Sequence, residues 1–155
     1  ILTHEAHVTS LSLHPHTNPM KLSTSKTINA PAERLWHLLT HLNYWTKWGT
    51  SIAKVSADSD TISLGPCGLI TPRVLPIALP FHVHIFEPDH YHWAWQVQGF
   101  EATSHTVTPL SAHSCEVSFA VPHRHLAPYL LICKRALTNL EQLATSPEVI
   151  RSTPP

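Results

Sequence analysis

His105 lies between Thr103 and Val107 in a stretch, Ala102 to Thr108, where side chains of two kinds alternate. With an ordinary imidazole pKa near 6.5, such a group can take and give protons near neutral pH, as general acid–base catalysis requires. The alternative is a structural histidine satisfied by its neighbours. Side chains two apart on a strand share a face, so an inward His105 carries Glu101 and Thr103 inward with it. Arg73 is the matching cation: its guanidinium forks onto paired oxygens. Arg73 and Glu101 therefore either hold a carbonyl or carboxylate of a ligand or pair with each other at the sheet rim. Tyr129 can orient a ligand through its hydroxyl, or pack with the phenol reaching water. Trp48, Trp93 and Trp95 offer flat surfaces to a ring system, or fill the core.

Other chemistries find less support. Of the fourteen histidines, His14/His16, His82/His84, His90/His92 and His123/His125 are two apart and His37/His41 four apart, spacings that can chelate a metal. None has a third ligand at a recognisable distance, so no metal and no cofactor is expected. There is no H-E-x-x-H, no Ser-His-Asp order and, with only four glycines, no phosphate-cradling or dinucleotide loop. Cys67, Cys115 and Cys133 form no C-x-x-C pair and are odd in number, which argues against disulfides and zinc knuckles. Buried thiols of this kind act as small hydrophobes.

The elements that must position these residues follow from periodicity. Leu126, Tyr129, Leu130, Cys133, Leu137, Leu140 and Ala144 recur at steps of three and four, which predicts a long helix from Leu126 to Ala144 with Pro128 in its first turn. Leu22 to Asn29 alternates as a first strand ended by Ala30-Pro31. A short helix follows with Leu35, Leu38, Leu39 and Leu42 on one stripe, then a second carrying Tyr44, Trp45 and Trp48 up to Gly49. Strands are expected at Ser51 to Ala57, Ile62 to Leu64 and Leu69 to Leu75, the last an edge or bulged strand because of Pro72 and Pro76. A meander follows at Phe81 to Glu87, His92 to Gln98, Ala102 to Thr108 and Ser114 to Val121. Residues 1–21 read as an N-terminal extension in which HVTSLSL alternates like a short strand, residues 22–144 as one α+β domain, and 145–155 as a flexible, Ser-, Thr- and Pro-rich tail.

Several inward positions of this scheme, among them Arg73, Glu101, Thr103, His105 and Tyr129, are polar. A core built only for stability avoids them, because an unpaired buried polar atom costs about 1–3 kcal/mol. A lined cavity explains them, while a slip of one residue in register would turn each one to solvent. Lys plus Arg equals Asp plus Glu at ten each, without a basic run, so nucleic acid is not an expected partner. Charged residues make up 13% of the chain, about half the usual share of ~25%, which suits an apolar or weakly charged ligand. No run approaches the ~18 apolar residues of a membrane span, and no signal peptide is evident, which leads to the expectation of a cytoplasmic monomer or homodimer.

Lys26 to Trp48, KTINAPAERLWHLLTHLNYWTKW, resembles the opening of the START-like, Bet v 1-like superfamily, also called SRPBCC or polyketide cyclase/dehydrase-like proteins. The resemblance rests on Ala30-Pro31, Leu35-Trp36 and Trp48, and continues through Gly68, the Phe81 to Pro88 segment, Trp93, His105 and Leu137-x-x-Leu140. The chain departs from the pattern at His41, where an aspartate is usual, and at Ser111-Ala112-His113, which lacks the common glycine. The resemblance implies a helix-grip fold: a curved antiparallel sheet wrapped around a long C-terminal helix, two short helices after the first strand, and a cavity between sheet and helix. It implies either a cofactor-independent cyclase, aromatase or dehydratase acting on a hydrophobic natural-product intermediate, or a non-catalytic carrier of an aromatic or lipid-like molecule. On that footing His105, Tyr129 and Glu101 are the candidate catalytic residues. Arg73, Trp93, Trp95, Thr103, Trp48, Leu126, Leu130 and Cys133 are the candidate ligand contacts.

Overall fold

The computed structural model describes residues 22–153. The extension at 1–21, with its expected short strand, lies outside the described residues. The elements are β1 (Leu22–Ile28), α1 (Ala32–Thr40), a 3₁₀ turn (Leu42–Tyr44), α2 (Trp45–Trp48), β2 (Ile52–Ser56), β3 (Gly65–Pro72), β4 (Leu79–Glu87), β5 (His92–Val97), β6 (Phe100–Ser111), β7 (Ser114–Val121), a 3₁₀ helix (Arg124–Tyr129), α3 (Leu130–Ala144) and α4 (Pro147–Ser152). All seven strands join one antiparallel sheet in the order β1-β7-β6-β5-β4-β3-β2. The chain is thus α+β with a helix-grip architecture: the sheet wraps around α3, and α1 and α2 close one end.

Local chemistry accounts for most of this. The Pro31 carbonyl accepts from the Arg34 and Leu35 amides to start α1, and Leu35, Leu38 and Leu39 line its buried face. Trp45 and Trp48 dock α2 by donating their indole N–H groups to the carbonyls of Leu39 and Leu38, both at 3.0 Å. Trp45 then stacks on Trp93 (centroids 5.3 Å apart, planes 12° off parallel) and meets Phe81 and Trp95 at 5.4 and 5.2 Å. These rings form the centre of the core. Cys133, Ala136, Leu137, Leu140 and Ala144 are the buried stripe of α3. The guanidinium of Arg34 reaches the Ala144 carbonyl at 3.0 Å, and the Asn139 amide reaches the Trp48 carbonyl at 3.2 Å, so the helix is tied to both short helices.

Four sequence expectations need correction. The helix expected from Leu126 starts only at Leu130, because Pro128 has no N–H and its ring crowds the carbonyl four residues back; the preceding turns wind as 3₁₀. Ile62 to Leu64 is not a strand: Thr61 bridges His41 and Ile62 simply buries itself. The proline-bearing strand is Gly65–Pro72 and not Leu69 to Leu75, and it is internal, between β2 and β4, so of the two alternatives the edge strand fails and the bulged strand holds. Its Pro66 falls where the pairing with β4 shifts, and a Cβ at Gly68 would collide with the Ser56 carbonyl of β2. Finally, the tail contains α4, capped by Ser146, with Val149 buried at 3% exposure where a flexible segment was expected.

Candidate functional site

Between the sheet, the 3₁₀ helix and the start of α3 lies a cavity of about 620 Å³ that opens at one end of the sheet. Its walls are mostly apolar: Ile70, Pro72, Val97, Ala102, Val121, Leu126 and Ile132. Trp95, Thr103, Ser51 and Tyr129 line its deeper part, while Arg73, Val74 and Glu101 stand at the mouth. A smaller compartment of about 30 Å³ continues inward, bounded by Trp48, Trp95, Thr103, His105, Tyr129 and Cys133. That is space for about one water molecule. The hydroxyls of Ser51 and Tyr129, which border both compartments, are hydrogen-bonded at 2.9 Å.

Thr103 and His105 form the polar spine of the inner wall. The indole N–H of Trp95 donates to Thr103 Oγ1 at 3.1 Å, and Thr103 Oγ1 lies 3.0 Å from His105 Nε2. With one lone pair of Oγ1 taken by Trp95, the threonine meets Nε2 either through its own proton or through its second lone pair, according to the imidazole tautomer. His105 is sandwiched by aromatic rings, stacked on Trp93 at 4.0 Å and edge-on to Phe119 at 4.6 Å. Its Nδ1 has no hydrogen-bond partner.

This surrounding overturns the premise of an ordinary imidazole. Burial pushes the His105 pKa down to about 3; the Trp93 backbone opposes the shift and His92 reinforces it. At neutral pH the ring is neutral and a weak base. Burial raises the Tyr129 pKa, so its phenol stays protonated and available as a donor. Cys115 and Cys133 are pushed up to about 11 by burial, in keeping with thiols that act as small hydrophobes.

The structure therefore brings Trp48, Trp95, Thr103, His105, Tyr129, Leu126 and Cys133 to one continuous hollow. Arg73 and Glu101 reach only its rim, both exposed. Arg73 follows the last residue of β3, and among the described residues the only basic side chain within 4 Å of Glu101 is the His123 imidazole, at 4.0 Å. Two expected contacts fail. Trp93 is fully buried between Trp45 and His105 and lines neither compartment. Leu130 also lines neither, because the 3₁₀ winding before it changes the phase of the helix and brings Ile132 to the cavity instead. Ser51 and the Val121-Pro122 corner went unnoticed in the sequence: nothing local links Ser51 to a tyrosine 78 residues away. Among the described residues no group of three or more His, Cys, Asp or Glu side chains could hold a metal ion. The rings of His37 and His41 lie against each other, centroids 3.7 Å apart and tilted by 32°.

Thr103→Val tests the spine. It keeps the volume but leaves the Trp95 N–H and His105 Nε2 unpaired, so a loss of about 2–4 kcal/mol is expected in urea unfolding. Thr103→Ser should restore most of it.

A helix-grip sheet with a hollow between helix and sheet defines the class of protein. The chain belongs to the polyketide cyclase/dehydrase and lipid transport family, whose model matches residues 19–145. No curated protein sequence matches the chain. Among solved structures, it is similar to the protein XoxI from Bacillus cereus, at 14% identity and a TM-score of 0.62, over 83% of this chain and 97% of that one. It is also similar to the Zhui aromatase/cyclase from Streptomyces sp. R1128, at 13% identity and 0.59, over 84% and 93%. The di-domain ARO/CYC BexL of the BE-7585A biosynthetic pathway matches at 15% identity and 0.60, over 83% of this chain and 48% of that one. At these identities the likeness shows the fold.

Proposed function

We propose that the cavity binds a hydrophobic, natural-product-like molecule and that the chain promotes its cyclisation and dehydration, mainly by holding it folded. The observation that supports this reading is the cavity itself: about 620 Å³ of largely apolar wall with the hydroxyls of Ser51, Thr103 and Tyr129 at its deep end. Volume and lining suit a small molecule of drug size, oriented by a few polar groups. Confinement that brings reacting carbons together supplies several kcal/mol of the barrier without any ionised group. Tyr129, kept protonated by burial, donates to a carbonyl oxygen as negative charge grows on it. Glu101, at the open mouth, is the carboxylate placed to exchange a proton with solvent. His105 serves as a positioning residue that holds Thr103 and, through it, Trp95.

One observation favours the second reading, a non-catalytic carrier: His105, the imidazole that lines the inner compartment, is held neutral and already bonded to Thr103. Turnover of a thioester-linked poly-β-ketone, together with quenching of tryptophan fluorescence on binding, separates the two. For the enzyme, Tyr129→Phe should lower kcat about a hundredfold while affinity changes less than about tenfold. Wild-type protein that binds saturably but gives no product above the spontaneous reaction leaves only the carrier. Absence of saturable binding removes both readings.

A further inference from the structure

The cavity opens at the end of the sheet where β3 passes to β4, β5 turns into β6, and β7 leads into the 3₁₀ helix. Large apolar side chains stand exposed on these connections and on α3 beside them: Val74 at 88%, Leu75 at 49%, Ile77 at 53%, Phe100 at 76% and Leu131 at 71%. Val74, Leu75 and Ile77 share the connection from β3 to β4, Phe100 stands at the β5–β6 turn and Leu131 on α3. Elsewhere among the described residues only scattered single residues such as Leu64 and Leu110 are comparably exposed. A monomer rarely shows such a concentration of apolar surface without a use for it.

The charges are sorted along the same axis. Arg73, Arg124, Lys134 and Arg135 lie on the mouth connections and the first two turns of α3, with Glu101 as the one carboxylate among them in the described residues. Asp58, Asp60, Glu87, Asp89 and Glu116 lie toward the opposite end of the sheet. The chain is neutral overall at ten charges of each sign, yet it presents a basic, apolar-tipped end and an acidic end.

We propose that the mouth end docks on an anionic lipid surface, with Val74, Leu75, Ile77 and Phe100 entering the headgroup layer and the four basic side chains resting on the lipid phosphates and carboxylates. Apolar tips on the β3–β4 loop and at the β5–β6 turn, flanked by basic side chains, suit a fluid layer that closes around each better than a protein partner that must match their contour. Basic side chains beside them add attraction to anionic lipid that salt screens. Docked in this way, the cavity mouth faces the acyl layer, and an apolar ligand passes between bilayer and cavity without crossing water. The proposal rests on the surface chemistry of the mouth and is independent of whether the cavity is catalytic.

The test is co-sedimentation of the full chain with vesicles of phosphatidylcholine alone or with about 30% phosphatidylserine. Partitioning is expected to rise about tenfold or more with the anionic lipid and to fall back in about 0.5 M salt. A Val74→Ser/Ile77→Ser/Phe100→Ser variant should lose at least about tenfold of the binding, with an unchanged circular dichroism spectrum and melting temperature, since the three side chains are exposed. Arg73→Gln/Arg124→Gln should remove the preference for phosphatidylserine. Several results overturn the proposal: no binding to either vesicle, or binding that survives the serine variant. A concentration-dependent dimer dispersed by the serine variant, or protection of residues 73–78 from hydrogen exchange by residues 1–21 without vesicles, also overturns it by giving the surface another occupant.

Discussion

Trp45→Ala is expected to cost about 5 kcal/mol, the upper end of what removing a buried aromatic ring does. Three losses coincide. The ring is fully buried, so its removal leaves a cavity that α2, a single turn, cannot collapse into without moving Trp48. The stack on Trp93 and the contacts to Phe81 and Trp95 vanish, each aromatic pair being worth about 0.5–1.5 kcal/mol beyond its buried area. The Leu39 carbonyl also loses its donor. Small domains are stable by only about 5–15 kcal/mol, so the variant should be marginal or unfolded at ambient temperature, and a urea midpoint reads this directly. Trp45→Phe, which keeps a ring but not the N–H, should cost clearly less. A loss below about 1 kcal/mol for the alanine variant would mean that the aromatic centre is not packed as described.

Acidification should unfold the protein through His105. The folded-state pKa is about 3, whereas an unfolded chain titrates near 6.5, so between these values the unfolded state binds the extra proton. Stability is therefore unaffected by this group above pH 6.5. It falls by about 1.4 kcal/mol for each unit below, until the folded ring also protonates near pH 3. By pH 5 the loss from this one group is about 2 kcal/mol, a sizeable share of a typical domain's total. The measurement is denaturant stability between pH 7 and 4.5. His105→Phe removes the titrating group, and although it costs stability at pH 7 by unpairing Thr103, it should flatten this part of the profile. A wild-type profile that is already flat between pH 6.5 and 5 would show that the ring reaches solvent, and would return it to candidacy as a proton shuttle.

Much of the fold was legible beforehand because it rests on local rules. The alternation of Thr103, His105 and Val107, and of Cys115, Val117, Phe119 and Val121, is a property of extended backbone, and all seven side chains are buried. Ala30-Pro31 marked the start of α1 because of its steric limits, and the stripe Cys133, Leu137, Leu140 and Ala144 survived because it lies in regular α-helix. The errors sit where periodicity is interrupted. Phe81 and Val83 are buried, but the register shift before Ile85 ends that face, and Phe86 packs against Trp36 at 5.8 Å. The 3₁₀ winding over Arg124–Tyr129 displaced Leu130 from the cavity in the same way.

The sequence by itself determined the kinds of element, their order and most inward faces, since backbone geometry repeats every 2 or 3.6 residues whatever lies elsewhere in the chain. Only the tertiary structure decided what those faces do. It paired Ser51 with Tyr129, closed the aromatic stack over His105, moved Arg73 and Glu101 to the rim and gathered apolar tips at the mouth. Dielectric, hydrogen-bond partners and exposure depend on groups brought close in space from distant parts of the chain. Spacing along the chain does not record those distances.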